Sequence, residues 1–243
     1  MDALSKTGRQ PLPVEMNMGR NKSIMGLMRT GKLLSIVIFS IAIISCNKEY
    51  KDQEGKSLKT VKIGDQTWMA ENLDVRHFRN GDSIPEAKSQ EEWIRLGSEG
   101  KPAFLTDKVN SGNIKKYGNY YNWYAVNDPR GLAPEGWHVP TNEEWNQMTG
   151  YLGGEVAAAL QMRITGYDDN GVPDSQSGFS GFPAGSCAGD GKFYGSGTNG
   201  YWWSSTEVNP AEAYILLLNY IHCNIYEMSY YKAGGLSVRC LRD

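Results

Sequence analysis

What this 243-residue chain can fold into is limited first by a short apolar run, LLSIVIFSIAIIS at residues 33–45, which follows Arg29 and Lys32 and stops at Cys46. A helix crossing the hydrocarbon core of a bilayer needs roughly 20 apolar residues. These 13 have instead the length of the apolar region of an export signal. Residues 1–45 therefore read as a leader, and the folded part must be built from the 198 residues that begin at Cys46. The stretch before the run is long for a basic region, and a start at Met25 or Met28 would give a leader of ordinary length.

Ile43, Ile44 and Ser45 resemble the bacterial lipobox, with an aliphatic residue three before the cysteine and a small one just before it. The implied product carries its diacyl lipid on Cys46 and is anchored to a membrane without spanning it. Lys48 and Glu49 resemble the lysine-plus-acid export signal of Bacteroidetes surface lipoproteins. The expected location is the outer membrane, on the cell surface, with the membrane as a partner through the lipid. Residues 46–58, charged and without an apolar period, are expected to be a flexible tether.

Removing residues 1–45 leaves 19 basic and 25 acidic residues, a net charge of about minus 6 that argues against a nucleic-acid partner. All seven Trp, all fourteen Tyr and most of the 28 Gly lie beyond residue 46. Rings and glycines in that proportion favour short strands and tight turns over a helical bundle. Cys187, Cys223 and Cys240 remain once Cys46 is lipidated, which allows one disulfide with a lone thiol, or none.

Within residues 59–243 the early half carries helix signals and the late half strand signals. TVKIGDQTWM alternates around a Gly64-Asp65 turn and predicts a hairpin. SQEEWIRLG offers Ser89 and Glu92 as a capping box, with Gly97 as a stop. YGNYYNWYAV is a strand or a helix by its period. In GWHVPTNEEWNQMTGYLGG, Thr141 and Glu144 form a second box, Trp145, Met148 and Leu152 share a face, and Gly153 and Gly154 end the helix. Residues 155–162 add further helix. SGFSGFPAGSC, GYWWSSTE, AYILLLNYIHCNIY and LSVRCLRD read as strands, so the class is α+β, with short helices early and a mainly antiparallel, twisted sheet late.

Five ordered segments then carry a family resemblance over residues 59–243: VKIGDQTWMAENLDV, YGNYYNWYAV, GWHVPTNEEW, FPAG with GKFYGSGTNGYWWSSTE, and GLSVRCLRD. In that order they resemble the Fibrobacter succinogenes major paralogous domain. The Pro, Thr, acid, Trp sequence at a helix start and the closing Gly, Xaa, Xaa, Val, Arg strand are similar to formylglycine-generating enzymes and other C-type-lectin-like folds. The resemblance implies a secreted or lipid-anchored surface protein of Bacteroidetes or Fibrobacteres with a C-type-lectin-like domain. It implies no defined activity.

Candidate chemistry is sparse. His77, His138 and His222 stand apart from other ligand types at metal spacing, and His138, just ahead of the Thr141 cap, reads as a packed, hydrogen-bonded residue. Ser204 and Ser205 lack a GxSxG elbow, and Cys223 and Cys240 do not match the close-spaced pair of formylglycine-generating enzymes. No catalytic residue, cofactor or enzymatic activity is expected. Asp168, Asp169, Asn170 and Asp174 offer oxygen donors for calcium, although an acidic turn without metal is favoured. Trp202 and Trp203 point to opposite faces of a strand, so that one can enter the core while the other faces out. With Asn219, Asn224, Tyr226, Tyr230 and Tyr231, and with Tyr220 nearby, they make up a candidate surface for glycan or extracellular protein, because rings give large contact area at low entropy cost. The alternative is a structural or adhesion component of the envelope without a small-ligand site.

Overall fold

Alternation of Val61 and Ile63 with polar neighbours produces the expected hairpin. β1 (Thr60–Ile63) pairs antiparallel with β2 (Gln66–Met69). Gly64 turns the chain between them at φ 61°, where an L side chain would be strained. The computed structural model describes residues 49–106, 117–167 and 173–243. Cys46 lies outside these, as do Asp168, Asp169 and Asn170. Among the described residues no helix is long and apolar enough to cross a membrane.

The expected tether is partly folded. Tyr50–Lys51 pairs with Ser57–Leu58, and the Asp52 carboxylate accepts from the backbone N–H of Glu54 and of Lys56, each at 2.9 Å. The Tyr50 ring meets Trp137 edge-on at 5.6 Å. An apolar period was never needed here, because an aspartate bonding its own backbone makes the turn and one ring docks it.

Helix α1 (Gln90–Ser98) starts at Ser89, whose hydroxyl accepts from Glu92 N at 3.2 Å. Its box is not reciprocal: the Glu92 carboxylate reaches one residue further back, to Lys88 N at 3.0 Å. Gly97 does not stop the helix. It lies inside it, where an added Cβ would come within 3.0 Å of Ala233 Cβ, and Gly100 at φ 63° follows the end. YGNYYNWYAV is both strand and helix: Tyr120–Tyr121 pairs with Phe104–Leu105, and the one-turn α2 (Trp123–Val126) follows, capped by Asn122. After β3 (Trp137–His138), α3 (Asn142–Tyr151) has the full Thr141 and Glu144 capping box and buries Trp145 and Met148. α4 (Glu155–Met162) follows Gly153 and Gly154 and buries Ala158, Ala159 and Met162.

The late half is a three-stranded antiparallel sheet, β4 (Asn199–Asn209), β5 (Glu212–Asn219) and β6 (Asn224–Tyr231), in that order. A second sheet runs in the order β1, β2, β7 (Leu241–Arg242) and β3. SGFSGFPAGSC and LSVRCLRD contribute less strand than expected. Only Ser186–Cys187 and Leu241–Arg242 are ladders, because Pro183 and the positive φ of Gly178, Ser180 and Gly185 break regular pairing. Residues 235–237 instead make isolated bridges to Cys187, Tyr121 and Trp202. No disulfide joins Cys187, Cys223 and Cys240, and burial raises the Cys240 thiol pKa well above its usual value.

At the centre lies Arg239, wholly buried. Its Nε and one terminal nitrogen donate to Asn72 Oδ1 at 3.0 and 2.6 Å, and the other donates to the carbonyls of Ala70, at 3.2 Å, and Phe179. The guanidinium lies 4.2 Å over the Phe179 ring. Asn72 Oδ1 also accepts from Trp202 Nε1 at 2.9 Å. Burial pulls the Arg239 pKa down to about 9, against the pull of Glu71 and Tyr220, so it stays charged at neutral pH. Its donors are met by oxygens and π faces, the arrangement that makes a buried cation tolerable. Asn72, Trp202 and Arg239 come from three different motif segments, so those segments meet inside the core.

Candidate ligand-binding face

Strand alternation sends Trp202 and Trp203 to opposite faces of β4, as expected, but neither reaches solvent. Both are fully buried. Trp202 packs against Phe179 at 5.5 Å, with Leu216 and Leu218. Trp203 packs among Tyr121, Ile215 and Val238 and donates from Nε1 to Tyr121 O at 2.7 Å. Both faces of the strand are covered at this point, so these two rings leave the candidate surface.

The register of the sheet defines what remains of it. Asn199 lies opposite Asn219, which lies opposite Asn224. One row along the same face, Tyr201 lies opposite Leu217 and Leu217 opposite Tyr226. Further along, Ile215 lies opposite Met228 and Ala213 opposite Tyr230. Four of the sequence-derived candidates, Asn219, Asn224, Tyr226 and Tyr230, thus share one face. Tyr231, 66% exposed, points to the other.

This face is half hydrogen-bonded and half open. Asn219 Nδ2 donates to Asn199 Oδ1 at 2.9 Å, while Asn199 Nδ2 donates to the Tyr201 hydroxyl at 3.1 Å. Asn219 Oδ1 accepts from His222 N at 2.7 Å and so also closes the β5–β6 turn. Asn224 Oδ1 is buried and unpaired. Tyr201 and Tyr230 face each other with centroids 6.4 Å apart, and the Tyr230 hydroxyl is 3.3 Å from Ser186 Oγ. Burial raises the pKa of both phenols, with the bonds from Asn199 and Ser186 opposing it. Tyr226 and Met228 stand out at 38% and 47% exposure. Neutral phenols, amides and a thioether make a surface suited to stacking and hydrogen bonding. Asn199, Tyr201 and Met228 were not picked out from the sequence, since only the pairing of β4 with β5 and β6 brings them to this face.

The titratable groups lie elsewhere. His138 Nδ1 is 2.7 Å from Asp243 Oδ1 and Nε2 is 2.9 Å from Glu144 Oε1. Open depressions of about 320 and 260 Å³ flank this trio, and Ser205 lines the second. Both ring nitrogens face carboxylates, which leaves neither to take a proton from Ser205. Ser204 is buried and its hydroxyl accepts from Thr206 N at 3.1 Å. Asp174 is exposed and pairs through its backbone with Gly166. Among the described residues no three His, Cys, Asp or Glu are placed to hold a metal ion.

Fold and face together define an α+β domain with a motif-built core and an aromatic, amide-edged sheet face that is partly open to solvent. The chain belongs to the Fibrobacter succinogenes major domain family, whose model matches residues 61–242. No curated protein matches it.

Proposed function

We propose that this chain is an exported surface protein, lipid-anchored through Cys46, whose C-type-lectin-like domain recognises glycan without catalysis. The observation that supports it best is the juxtaposition on one sheet face of the Asn199, Asn219 and Asn224 amides with the Tyr201, Tyr226 and Tyr230 rings. Sugars offer apolar C–H faces to rings and hydroxyls to amides, and both partners are present side by side. No carboxylate or imidazole from the His138 trio belongs to this face, which favours binding over acid–base chemistry. No cofactor enters the proposal.

The test is a glycan array probed with residues 47–243, in calcium and in chelator. Saturable binding lost in Tyr226→Ala, with the fold retained, is the expected result. Chelator sensitivity would bring Asp168, Asp169, Asn170 and Asp174 back as a calcium site. A blank array from folded protein would replace this proposal with recognition of an extracellular protein or a structural role in the envelope.

A further inference from the structure

The two depressions beside His138 differ in charge. The larger, of about 320 Å³, is lined by Asp65, Glu144 and Asp243, with Arg242 as its cation. The smaller, of about 260 Å³, is lined by Arg79 and by no carboxylate. Asp82 and Asp128, the acids nearest in sequence to Arg79 and to Gly131 beside it, are both paired with Arg130.

Arg79 is held by one edge. Its Nε donates to Ala133 O at 3.0 Å and its Nη2 to Trp137 O at 3.1 Å, while its backbone N–H donates to Gly131 O at 2.8 Å. Gly131, at φ 81°, runs so close that an added Cβ would come within 3.4 Å of Arg79 Nε. Among the described residues Nη1 makes no hydrogen bond, and neither does the Ser205 hydroxyl on the same depression. A guanidinium fixed in this way loses little further freedom when it takes an anion. Val126, Leu132 and Val139 line the rest, and His138, with both nitrogens engaged by carboxylates, adds ring surface.

We propose that this depression binds a small organic acid, its carboxylate on Nη1 of Arg79 and the Ser205 hydroxyl, and its short apolar body against Val126, Leu132 and Val139. An apolar lining with a few placed polar groups is the usual make-up of a small-ligand site, and the volume here lies at the small end. The planar guanidinium matches a carboxylate, and two donors suit its two oxygens. A phosphate would leave further charged oxygens against the apolar lining. The site shares no residue with the sheet face and does not depend on the glycan proposal.

Residues 47–243 form a compact unit, and titrating them with 3-methylbutanoate, followed by nuclear magnetic resonance, is the test. The expected result is saturable shifts confined to the surroundings of Arg79, Gly131 and Ser205. Acetate should bind roughly tenfold more weakly for want of the apolar body, and 3-methylbutanamide, of the same shape without the charge, should not bind. Arg79→Gln should weaken binding roughly tenfold or more. Ser205→Asp leaves the carbonyl bonds of Arg79 intact and should weaken binding as much, by placing a carboxylate in the depression, so it decides the matter even where Arg79→Gln fails to fold. Shifts that do not saturate, that appear equally with the amide, or that survive Ser205→Asp unchanged in folded protein would overturn the proposal.

Discussion

β4 and β6 lie on either side of β5, and both are rich in rings, yet they end in opposite environments. Trp202 and Trp203 of β4 are sealed in the core with their indole N–H groups bonded. Tyr226 and Tyr231 of β6 face water. Covering explains the difference. The segment around Ser237 bridges to the outer side of β4, while among the described residues no strand pairs with the outer edge of β6. None of the motif segments that mark the family includes β6, and three of them meet at Arg239. The motifs therefore describe mainly how the domain is held together: they lend Asn199 and Tyr201 to the candidate face, while its most exposed side chains, Tyr226 and Met228, lie outside them.

The strongest way to break that contrast is at Arg239. Arg239→Ala should cost about 3–5 kcal/mol, since it strips the Ala70 and Phe179 carbonyls of their donor, leaves Asn72 Oδ1 with Trp202 Nε1 alone and empties the centre of the core. That is a large share of the roughly 5–15 kcal/mol by which a domain is usually stable. Arg239→Lys keeps the charge but offers one ammonium where a planar fork spans Asn72, Ala70 and Phe179, so most of the loss should persist. Urea unfolding midpoints measure both. A fully stable lysine variant would show that charge, and not the fork, holds the motifs together.

How much of this was legible depends on how local each cause is. The α3 cap needs only Thr141, Glu144 and a helical period, and it formed as expected. The β1–β2 hairpin needs only alternation and Gly64. Whether Trp202 is buried depends on Phe179 and Arg239, which arrive from distant segments, and alternation alone cannot supply a cover. The shared face of Tyr201 and Tyr226 depends on two ladder registers, a nonlocal fact. The folding of residues 49–58 is not legible locally, because its anchor, Tyr50 on Trp137, spans 87 positions of the chain.

A second contrast is among tyrosines and is sharpened by pH. Burial raises the Tyr220 pKa from 10 to about 12, against opposing contributions from Ile164 N–H, Arg163 and Arg239. Its hydroxyl accepts from Ile164 N at 3.0 Å and donates to Gly181 O. The folded state thus holds this proton more tightly than the unfolded chain does. The resulting stability is fully present below pH 10 and is lost as pH rises through about 12. Unfolding midpoints should fall across that window, and Tyr220→Phe should flatten the fall while lowering stability at neutral pH through the lost bonds. An unchanged slope in the variant would mean that other buried groups, such as Tyr121 or Cys240, set the alkaline limit.

The smallest expected effect on stability is at Tyr226, and its smallness is informative. Its ring is 38% exposed on an edge strand, so Tyr226→Ala should change the unfolding free energy by about 0.5–1 kcal/mol, mostly through the lost cross-strand contact with Leu217. Residues that build the core cannot be removed so cheaply, as a buried ring typically costs about 3–5 kcal/mol. A near-neutral Tyr226→Ala would place this ring outside the core's packing and leave its large apolar surface to external contacts. A loss comparable to that of a buried ring would instead make β6 part of the core, and the contrast between the two flanking strands would fail.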